Sequence, residues 1–189
     1  MEIFKKLQIE FDFERLLDEA KSLINEIGWH NNQISLQYSE EESWEKDVDW
    51  YRYTRKEHLC TNWNSRLENS YIKQVIESIH SPVSSARLMK LKGPGCYITH
   101  VDHYKRFQMP LILDPLKSFM IWPEYNQVLS MKPGEVYFCN THEIHNYVNG
   151  DYEERINLIF NDATELPYVD NPHLTRLFKD FKKEDIIWR

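Results

Sequence analysis

The chain has 189 residues, about the length of one domain and enough to enclose a single hydrophobic core. Hydrophobic residues make up 41% and charged residues 28%, which is typical of a globular protein and excludes a disordered or fibrous one. The 23 Lys and Arg against 30 Asp and Glu give a net charge of −7, and no local basic patch offsets it, so nucleic acid and anionic membranes are not expected as partners.

The cysteines and the hydropathy pattern indicate the compartment. Cys60, Cys96 and Cys139 are odd in number and far apart, so neither a disulfide framework nor a CxxC motif is available, and we expect all three to be buried small hydrophobes. No stretch approaches the roughly 18 consecutive apolar residues of a membrane span, and the amino terminus carries no apolar leader. The sequence therefore predicts a soluble, cytoplasmic protein.

The amino-terminal part contains patterns typical of amphipathic helices. Apolar residues recur at helical spacing from Phe13 to Ile27, with Asp12 placed to cap the helix and Gly28 to end it. Residues 40–49 carry six acids against one lysine and are interpreted as a surface loop. We also predict a strand over 33–38, a second helix over 71–79 ahead of Pro82, and a short carboxy-terminal helix over 171–181.

Between residues 84 and 161 the periodicity changes to two, which is typical of strands, and turn signals such as Gly93-Pro94-Gly95 separate the runs. The predicted strands are 87–91, 97–101, 107–113, 118–122, 127–131, 135–139, 144–148 and 155–160. So many short strands predict a jelly roll or barrel with the helices packed outside it. We predict one domain, with an amino-terminal layer over 1–83, this β core over 84–161 and a tail over 162–189.

His100 and Asp102 form the first group of residues that could carry chemistry. They lie two apart on a predicted strand, so their side chains project from the same face and could hold one ion. Two histidines and one carboxylate leave three coordination positions open, the arrangement of non-haem Fe(II) oxygenases. His145, on another predicted strand, is the best candidate for the distal histidine. His103, on the opposite face, and His142, near a turn, are not expected to bind the ion.

Arg155 begins an otherwise apolar predicted strand. A guanidinium in such a strand is costly unless it meets a carboxylate, and a dicarboxylate cosubstrate would supply that partner. The alternative is a surface salt bridge with Glu153 or Glu154. For Arg106, the corresponding alternative to a role in binding is a solvated charge beside Lys105.

Several short motifs occur in a consistent order over about 75 residues. They are Arg87-Leu-Met-Lys-Leu-Lys-Gly-Pro-Gly95 before His100-Val-Asp102, then Arg106-Phe-Gln-Met-Pro-Leu111, Met131-Lys-Pro-Gly-Glu135, His145-Asn-Tyr-Val-Asn149 and Arg155-Ile-Asn-Leu158. In these motifs the chain resembles the 2-oxoglutarate/Fe(II)-dependent oxygenases, and more narrowly their aspartyl/asparaginyl β-hydroxylase-like branch.

The resemblance implies a double-stranded β-helix core and assigns roles to particular residues. Arg106 falls where this branch often has a second basic contact to the cosubstrate, and Gln108 stands where many relatives have a histidine in an Arg-x-His pattern. Gln108 is therefore a departure in the cosubstrate pocket. By the same resemblance, Fe(II) would be bound by His100, Asp102 and His145, and the distal carboxylate of 2-oxoglutarate by Arg155.

Two further positions could reach the cosubstrate. Tyr97 lies three residues before His100, and Asn157 lies two after Arg155 on the same strand face, although packing in the core is an equal alternative for each. The carboxylate of Asp102 argues against halogenation, because related halogenases keep that position small so that chloride can bind the iron.

The resemblance implies an oxygenase that uses Fe(II), 2-oxoglutarate and O₂ to hydroxylate an aliphatic carbon, with release of succinate and CO₂. The implied substrate is an amino acid, free or within a peptide. The main alternative is a cupin-type metal enzyme or small-ligand sensor that has a related barrel but does not use 2-oxoglutarate. A noncatalytic barrel is the third hypothesis. Substrate-selecting loops are expected in the acidic and aromatic segment over 40–69, which matches no motif.

Overall fold

The computed structural model describes residues 2–44 and 59–164. The predicted carboxy-terminal helix over 171–181 and the middle of the acidic and aromatic segment lie outside these residues. In the described parts of the chain, two α-helices pack on one face of a large antiparallel sheet, and a smaller sheet lies against the other face.

The first helix, α1 (Phe13–Ile27), forms where the sequence predicts it. The Asp12 carboxylate accepts a hydrogen bond from the backbone N–H of Arg15 and so caps the first turn. Gly28 ends the helix at a φ of 77°, a left-handed conformation that glycine adopts without steric cost. The helix packs on the large sheet through its buried residues Leu16, Ala20 and Leu23.

The second helix, α2 (Tyr71–Glu77), is joined to the first by a carboxylate. Ser70 caps α2 by accepting a hydrogen bond from the backbone N–H of Lys73. Glu19 of α1 accepts two more, from the backbone N–H groups of Tyr71 at 2.8 Å and Ile72 at 3.3 Å. A negative charge at this end also complements the helix dipole. The two helices therefore cover the sheet as one layer.

The strands form two main sheets in which every pair is antiparallel. The large sheet has the order β1-β10-β7-β12-β5-β2, the small sheet has the order β6-β11-β8-β9, and β3 pairs with β4. Their bounds are β1 (Phe4–Leu7), β2 (Gln33–Ser35), β3 (Gln37–Tyr38), β4 (Asn62–Trp63), β5 (Val83–Leu91), β6 (Gly95–Cys96), β7 (Arg106–Ile112), β8 (Ser118–Trp122), β9 (Gln127–Leu129), β10 (Val136–Cys139), β11 (Asn146–Asn149) and β12 (Arg155–Asp162).

Alternation along the central strands gives the large sheet two different faces. Every second residue of β12 packs against the helices, namely Ile156, Leu158 and Phe160. The residues between them, Arg155, Asn157 and Ile159, face the small sheet. The space between the two sheets is partly filled by a second apolar cluster of Ile3, Met120, Trp122, Leu129, Met131, Tyr137, Cys139 and Tyr147. The remainder of that space is the candidate site.

The predicted fold class, mainly β with flanking helices and a double-stranded β-helix core, is confirmed. Seven of the eight predicted core strands are present. The predicted strand over 97–101 is wrong, because β6 ends at Cys96 and only His100 forms an isolated bridge beyond it. The sequence also did not predict β1, in which Lys5 and Lys6 interrupt the apolar pattern.

Two expectations drawn from composition can be compared with the structure. Cys60 and Cys139 are buried, but Cys96 is exposed, so the expectation that all three cysteines are buried is wrong. Cys96 lies in the two-residue strand at the edge of the small sheet, where one flank of the chain faces solvent. Neither described helix is long and apolar enough to cross a membrane.

We expect Leu158→Ala to lower the free energy of unfolding by about 2–5 kcal/mol, because the side chain is fully buried and its loss leaves a cavity under the helices. Chemical denaturation measures this. Leu116→Ala is the matched control, since the Leu116 side chain is 85% exposed, and its effect should stay within about 0.5 kcal/mol. Equal effects of the two substitutions would contradict the described packing.

Candidate metal centre and adjoining pocket

Two chain segments bring His100, Asp102 and His145 together. The backbone N–H of His100 donates to the carbonyl of His145 at 2.9 Å, and the N–H of His145 donates back at 2.9 Å. Two residues on, the N–H of Asp102 donates to the carbonyl of Thr141 at 2.8 Å. The ligand atoms of the three side chains all lie within 4.8 Å of one another.

The segment between β6 and Asp102 is irregular for a definable reason. Tyr97 donates its backbone N–H to the carbonyl of Tyr147, and His100 donates to that of His145. The bonded positions Tyr97 and His100 are therefore three residues apart, whereas their partners Tyr147 and His145 are two residues apart. Such an extra residue disrupts a β ladder and turns side chains to a new direction, as in a β-bulge. His100 and Asp102 therefore do not lie on one face of a regular strand, as the sequence predicts, but converge through this irregular segment.

Each histidine is oriented by a carbonyl two residues before it. His100 Nδ1 lies 2.7 Å from the carbonyl oxygen of Ile98, and His145 Nδ1 lies 2.9 Å from that of Glu143. A carbonyl oxygen only accepts hydrogen bonds, so these contacts assign the proton of each neutral ring to Nδ1. Nε2 then carries the lone pair on both rings. The Nε2 atoms point toward Asp102, at 3.8 Å from Oδ1 for His100 and 3.4 Å from Oδ2 for His145.

The electrostatics of the centre favour the forms that bind a metal. Burial raises the pKa of Asp102, but the neighbouring charges, the Arg106 guanidinium first among them, lower it well below its usual range. Burial lowers the pKa of His100, against the opposing pull of Asp102. Asp102 is therefore an anion at neutral pH, and the neutral form of the His100 ring is favoured. The buried Oδ2 of Asp102 has no hydrogen-bond partner.

A pocket opens beside these ligands between the two sheets. Its open space is about 40 Å³, room for about three water molecules. Side chains alternate between the two faces of β7 and β12. The charged and amide side chains of these strands face the pocket, and the apolar residues between them pack under the helices. The lining consists of Met89, Tyr97, His100, Arg106, Gln108, Met120, His145, Tyr147, Arg155 and Ile159.

Arg155 lies in this pocket and not at the surface. Arg155 is only 3% exposed, and Glu154 pairs with Lys90. The alternative of a surface salt bridge between Arg155 and Glu153 or Glu154 is therefore excluded. The Arg155 guanidinium carbon lies 3.3 Å from the centroid of the Tyr147 ring, and Nε has no hydrogen-bond partner. No carboxylate of the described residues pairs with it. Burial accordingly lowers the pKa of Arg155.

Arg106 is also buried, at 7% exposure, which excludes the alternative of a solvated charge. Its Nη2 lies 2.9 Å from Oδ1 of Asp102. The predicted contact between Arg106 and a cosubstrate stays a prediction.

Gln108 and Tyr97 line the pocket, and Asn157 lies beside Gln108. Asn157 is fully buried and donates from Nδ2 to Oε1 of Gln108 at 2.6 Å, and this contact orients the Gln108 amide at the pocket wall. The Asn157 Oδ1 has no hydrogen-bond partner. Tyr97 lies edge-on to the His100 ring, with centroids 6.4 Å apart. Their predicted roles toward a cosubstrate stay predictions.

Tyr147 is a pocket residue that the sequence-based argument missed. It lies two residues after His145, packs its ring against Arg155, and its hydroxyl is buried without a partner that meets hydrogen-bond geometry. The spacing from His145 was the available signal, because residues two apart on a strand share a face. His103 and His142 stay outside the cluster, and within residues 2–44 and 59–164 no other group of His, Cys, Asp and Glu is arranged to hold a metal ion.

No family model matches the sequence, and no curated protein matches it. Several solved structures are similar. An oxidoreductase of the 2OG-Fe(II) oxygenase family from Burkholderia pseudomallei is 12% identical with a TM-score of 0.55, over 87% of this chain and 86% of that chain. A viral collagen prolyl hydroxylase from Paramecium Bursaria Chlorella virus-1 is 10% identical with a TM-score of 0.51, over 84% and 89%. NgTET1, solved with 5mC DNA, is 12% identical with a TM-score of 0.53, over 95% and 81%.

The chain has the double-stranded β-helix fold of these oxygenases. The identities are low, so the likeness concerns the fold, and the chemistry has to be argued from the side chains.

We expect Arg155→Met to raise the free energy of unfolding of the ligand-free protein by about 1 kcal/mol, because it removes a buried charge that no carboxylate offsets. The lost contact with Tyr147 opposes part of this gain. Thermal and urea unfolding measure the change. Arg66→Met is the control, since Arg66 is exposed and paired with Glu26, and it should leave the melting temperature nearly unchanged. A clear loss of stability in Arg155→Met would show that Arg155 is a structural residue.

Proposed function

We propose that the protein is an Fe(II)- and 2-oxoglutarate-dependent oxygenase that hydroxylates an aliphatic carbon of an amino acid or a peptide side chain. One observation carries the proposal. Two imidazoles and a carboxylate converge at one end of a pocket that also contains a buried guanidinium without an anionic partner. A metal and a dicarboxylate would satisfy both features.

The donor set fits Fe(II). Two imidazole Nε2 atoms and one carboxylate oxygen without a hydrogen-bond partner are available on side chains whose other atoms are already bonded. Such a site leaves positions for a cosubstrate and for O₂. When bound, the iron with 2-oxoglutarate and O₂ would supply the oxidising power to hydroxylate an unactivated C–H bond, with release of succinate and CO₂.

The other end of the pocket fits the distal carboxylate of 2-oxoglutarate. Arg155 presents a planar guanidinium, and the Tyr147 hydroxyl beside it is a buried donor without a partner. A five-carbon diacid is larger than the open space of about 40 Å³, so binding requires side chains to rotate. Met89 and Met120 line the pocket, and their unbranched side chains repack at little cost.

The protein also has to hold the metal and the cosubstrate in place and to exclude water from the pocket. His145 and Asp102 are buried, whereas the His100 side chain is 24% exposed, so the His100 side is the open approach for a substrate. Trp122 is fully buried, packs near the His145 ring and donates its indole N–H to the carbonyl of Asn140, so an apolar ring covers the side of His145. A dry pocket with one open side directs the oxidant to the substrate.

The substrate class rests on the motif resemblance to the aspartyl/asparaginyl β-hydroxylase-like branch, and a collagen prolyl hydroxylase among the structural neighbours makes peptides reasonable first candidates. The alternative, a cupin-type metal enzyme or sensor without 2-oxoglutarate, gives no reason for the buried charge of Arg155. The oxygenase therefore accounts for more of the pocket.

We expect anaerobic titration of 2-oxoglutarate into the Fe(II) protein to give a visible charge-transfer band that saturates. Arg155→Gln should raise the half-saturating concentration roughly tenfold to hundredfold, because it removes a charge-assisted contact. Arg66→Gln, which removes an exposed guanidinium far from the pocket, should have no effect. Absence of a band in the wild-type protein would favour the cupin-type alternative. Succinate release, followed with amino acids and with asparaginyl and prolyl peptides, then identifies the substrate.

Tyr147→Phe tests the residue that the sequence did not predict. Loss of one hydrogen bond of about 1 kcal/mol should raise the half-saturating concentration of 2-oxoglutarate about fivefold and leave the affinity for Fe(II) unchanged. The same anaerobic titration measures the first quantity, and a fluorescence titration with the metal measures the second. An unchanged 2-oxoglutarate titration would remove Tyr147 from the cosubstrate site.

A further inference from the structure

The two oxygens of the Asp102 carboxylate are not equivalent. Oδ1 accepts the contact with Nη2 of Arg106 at 2.9 Å, and both side chains are at least nine-tenths buried. Oδ2 has no hydrogen-bond partner and lies 3.4 Å from Nε2 of His145. Oδ1 is therefore held by Arg106 and lies 3.8 Å from Nε2 of His100, whereas Oδ2 faces His145 and is available to a metal.

We propose that Arg106 is a positioning residue that fixes Asp102 so that Oδ2 is presented to the metal. The inference rests on the proposed function and gives Arg106 a different role from a contact with 2-oxoglutarate. A carboxylate without this contact would be free to rotate about its terminal bond and exchange its oxygens. Partners of this kind, which orient metal ligands, typically account for about a tenfold to hundredfold change in metal affinity.

The sheet register separates the two pocket arginines. Arg106 begins β7 and lies opposite Asn161 of β12. Arg155 begins β12, six residues before Asn161, which corresponds to about 20 Å of strand. The two guanidinium groups therefore start from opposite ends of the pocket. Arg155 is placed for the distal carboxylate, and Arg106 is placed at the metal ligands.

The residue type also matters at this position. The planar fork of an arginine fixes the direction of the carboxylate that it contacts, whereas a lysine supplies a point charge on a flexible stem. Arg106→Lys should therefore keep the charge but recover only part of the metal affinity. Arg106→Gln loses the charge and should show the full effect. The lysine variant also guards against misfolding, because it does not leave the buried Asp102 without a cation.

The test is anaerobic binding of Fe(II), and of Co(II) as a stable substitute, to purified full-length variants. Arg106→Gln should weaken metal affinity at least tenfold, Arg106→Lys should lie between it and the wild type, and Lys105→Gln should match the wild type as the adjacent charge control. In metal-saturated protein, the 2-oxoglutarate titration of Arg106→Gln should shift less than threefold, whereas that of Arg155→Gln shifts strongly.

The variant Asp102→Ala and the double variant that combines it with Arg106→Gln complete a double-mutant cycle for metal affinity. If Arg106 acts through Asp102, the second substitution should add no further loss of metal affinity. The inference is overturned if Arg106→Gln impairs 2-oxoglutarate binding and leaves metal binding intact, while Asp102→Ala still loses the metal. If Asp102→Ala itself retains full metal affinity, the proposed function fails instead, so the two failures are distinguishable.

Discussion

The site depends on one pair of reciprocal backbone hydrogen bonds, between His100 and His145. These bonds hold the segment after β6 alongside the segment before β11, and the register of those strands sets which residues meet. A shift by one residue would turn both imidazoles away from each other, because side chains alternate between faces. The strand β6 has only two residues, yet its pairing with β11 aligns His100 and His145, which are distant in sequence.

The pocket contains buried polar groups that the rest of the protein does not satisfy. A buried donor or acceptor without a partner costs roughly 1–3 kcal/mol, and several occur around this one space, on Asp102, Tyr147 and Arg155. The apolar cluster under the two helices offsets that cost elsewhere in the fold. Buried polar atoms without a partner also occur outside the pocket, for example on Asn64 and Ser84. Several of them around one pocket are nevertheless the pattern expected of a site that completes its bonding with a ligand.

The sequence predicted the parts of this structure that follow from periodicity. The helix from Phe13 to Ile27 has its apolar stripe and both capping residues in the sequence, and polar and apolar residues of the strand β12 alternate from Arg155 to Leu158. The irregular segment after Cys96 could not be predicted, because an extra residue in a ladder leaves no mark on the apolar pattern. Likewise, β1 is held by backbone pairing with β10, which carries no side-chain signature in Lys5 and Lys6.

The two pocket arginines could be recognised from the sequence, whereas Tyr147 could not. A guanidinium inside an apolar strand contradicts its surroundings, so Arg155 points to a partner even without coordinates. A tyrosine in a strand is ordinary, and only the structure shows that its hydroxyl ends beside that guanidinium without a bond of its own. The contact between Arg106 and Asp102 could be predicted only in part. Both charges could be noticed in the sequence, but the irregular turn that brings them within 2.9 Å could not.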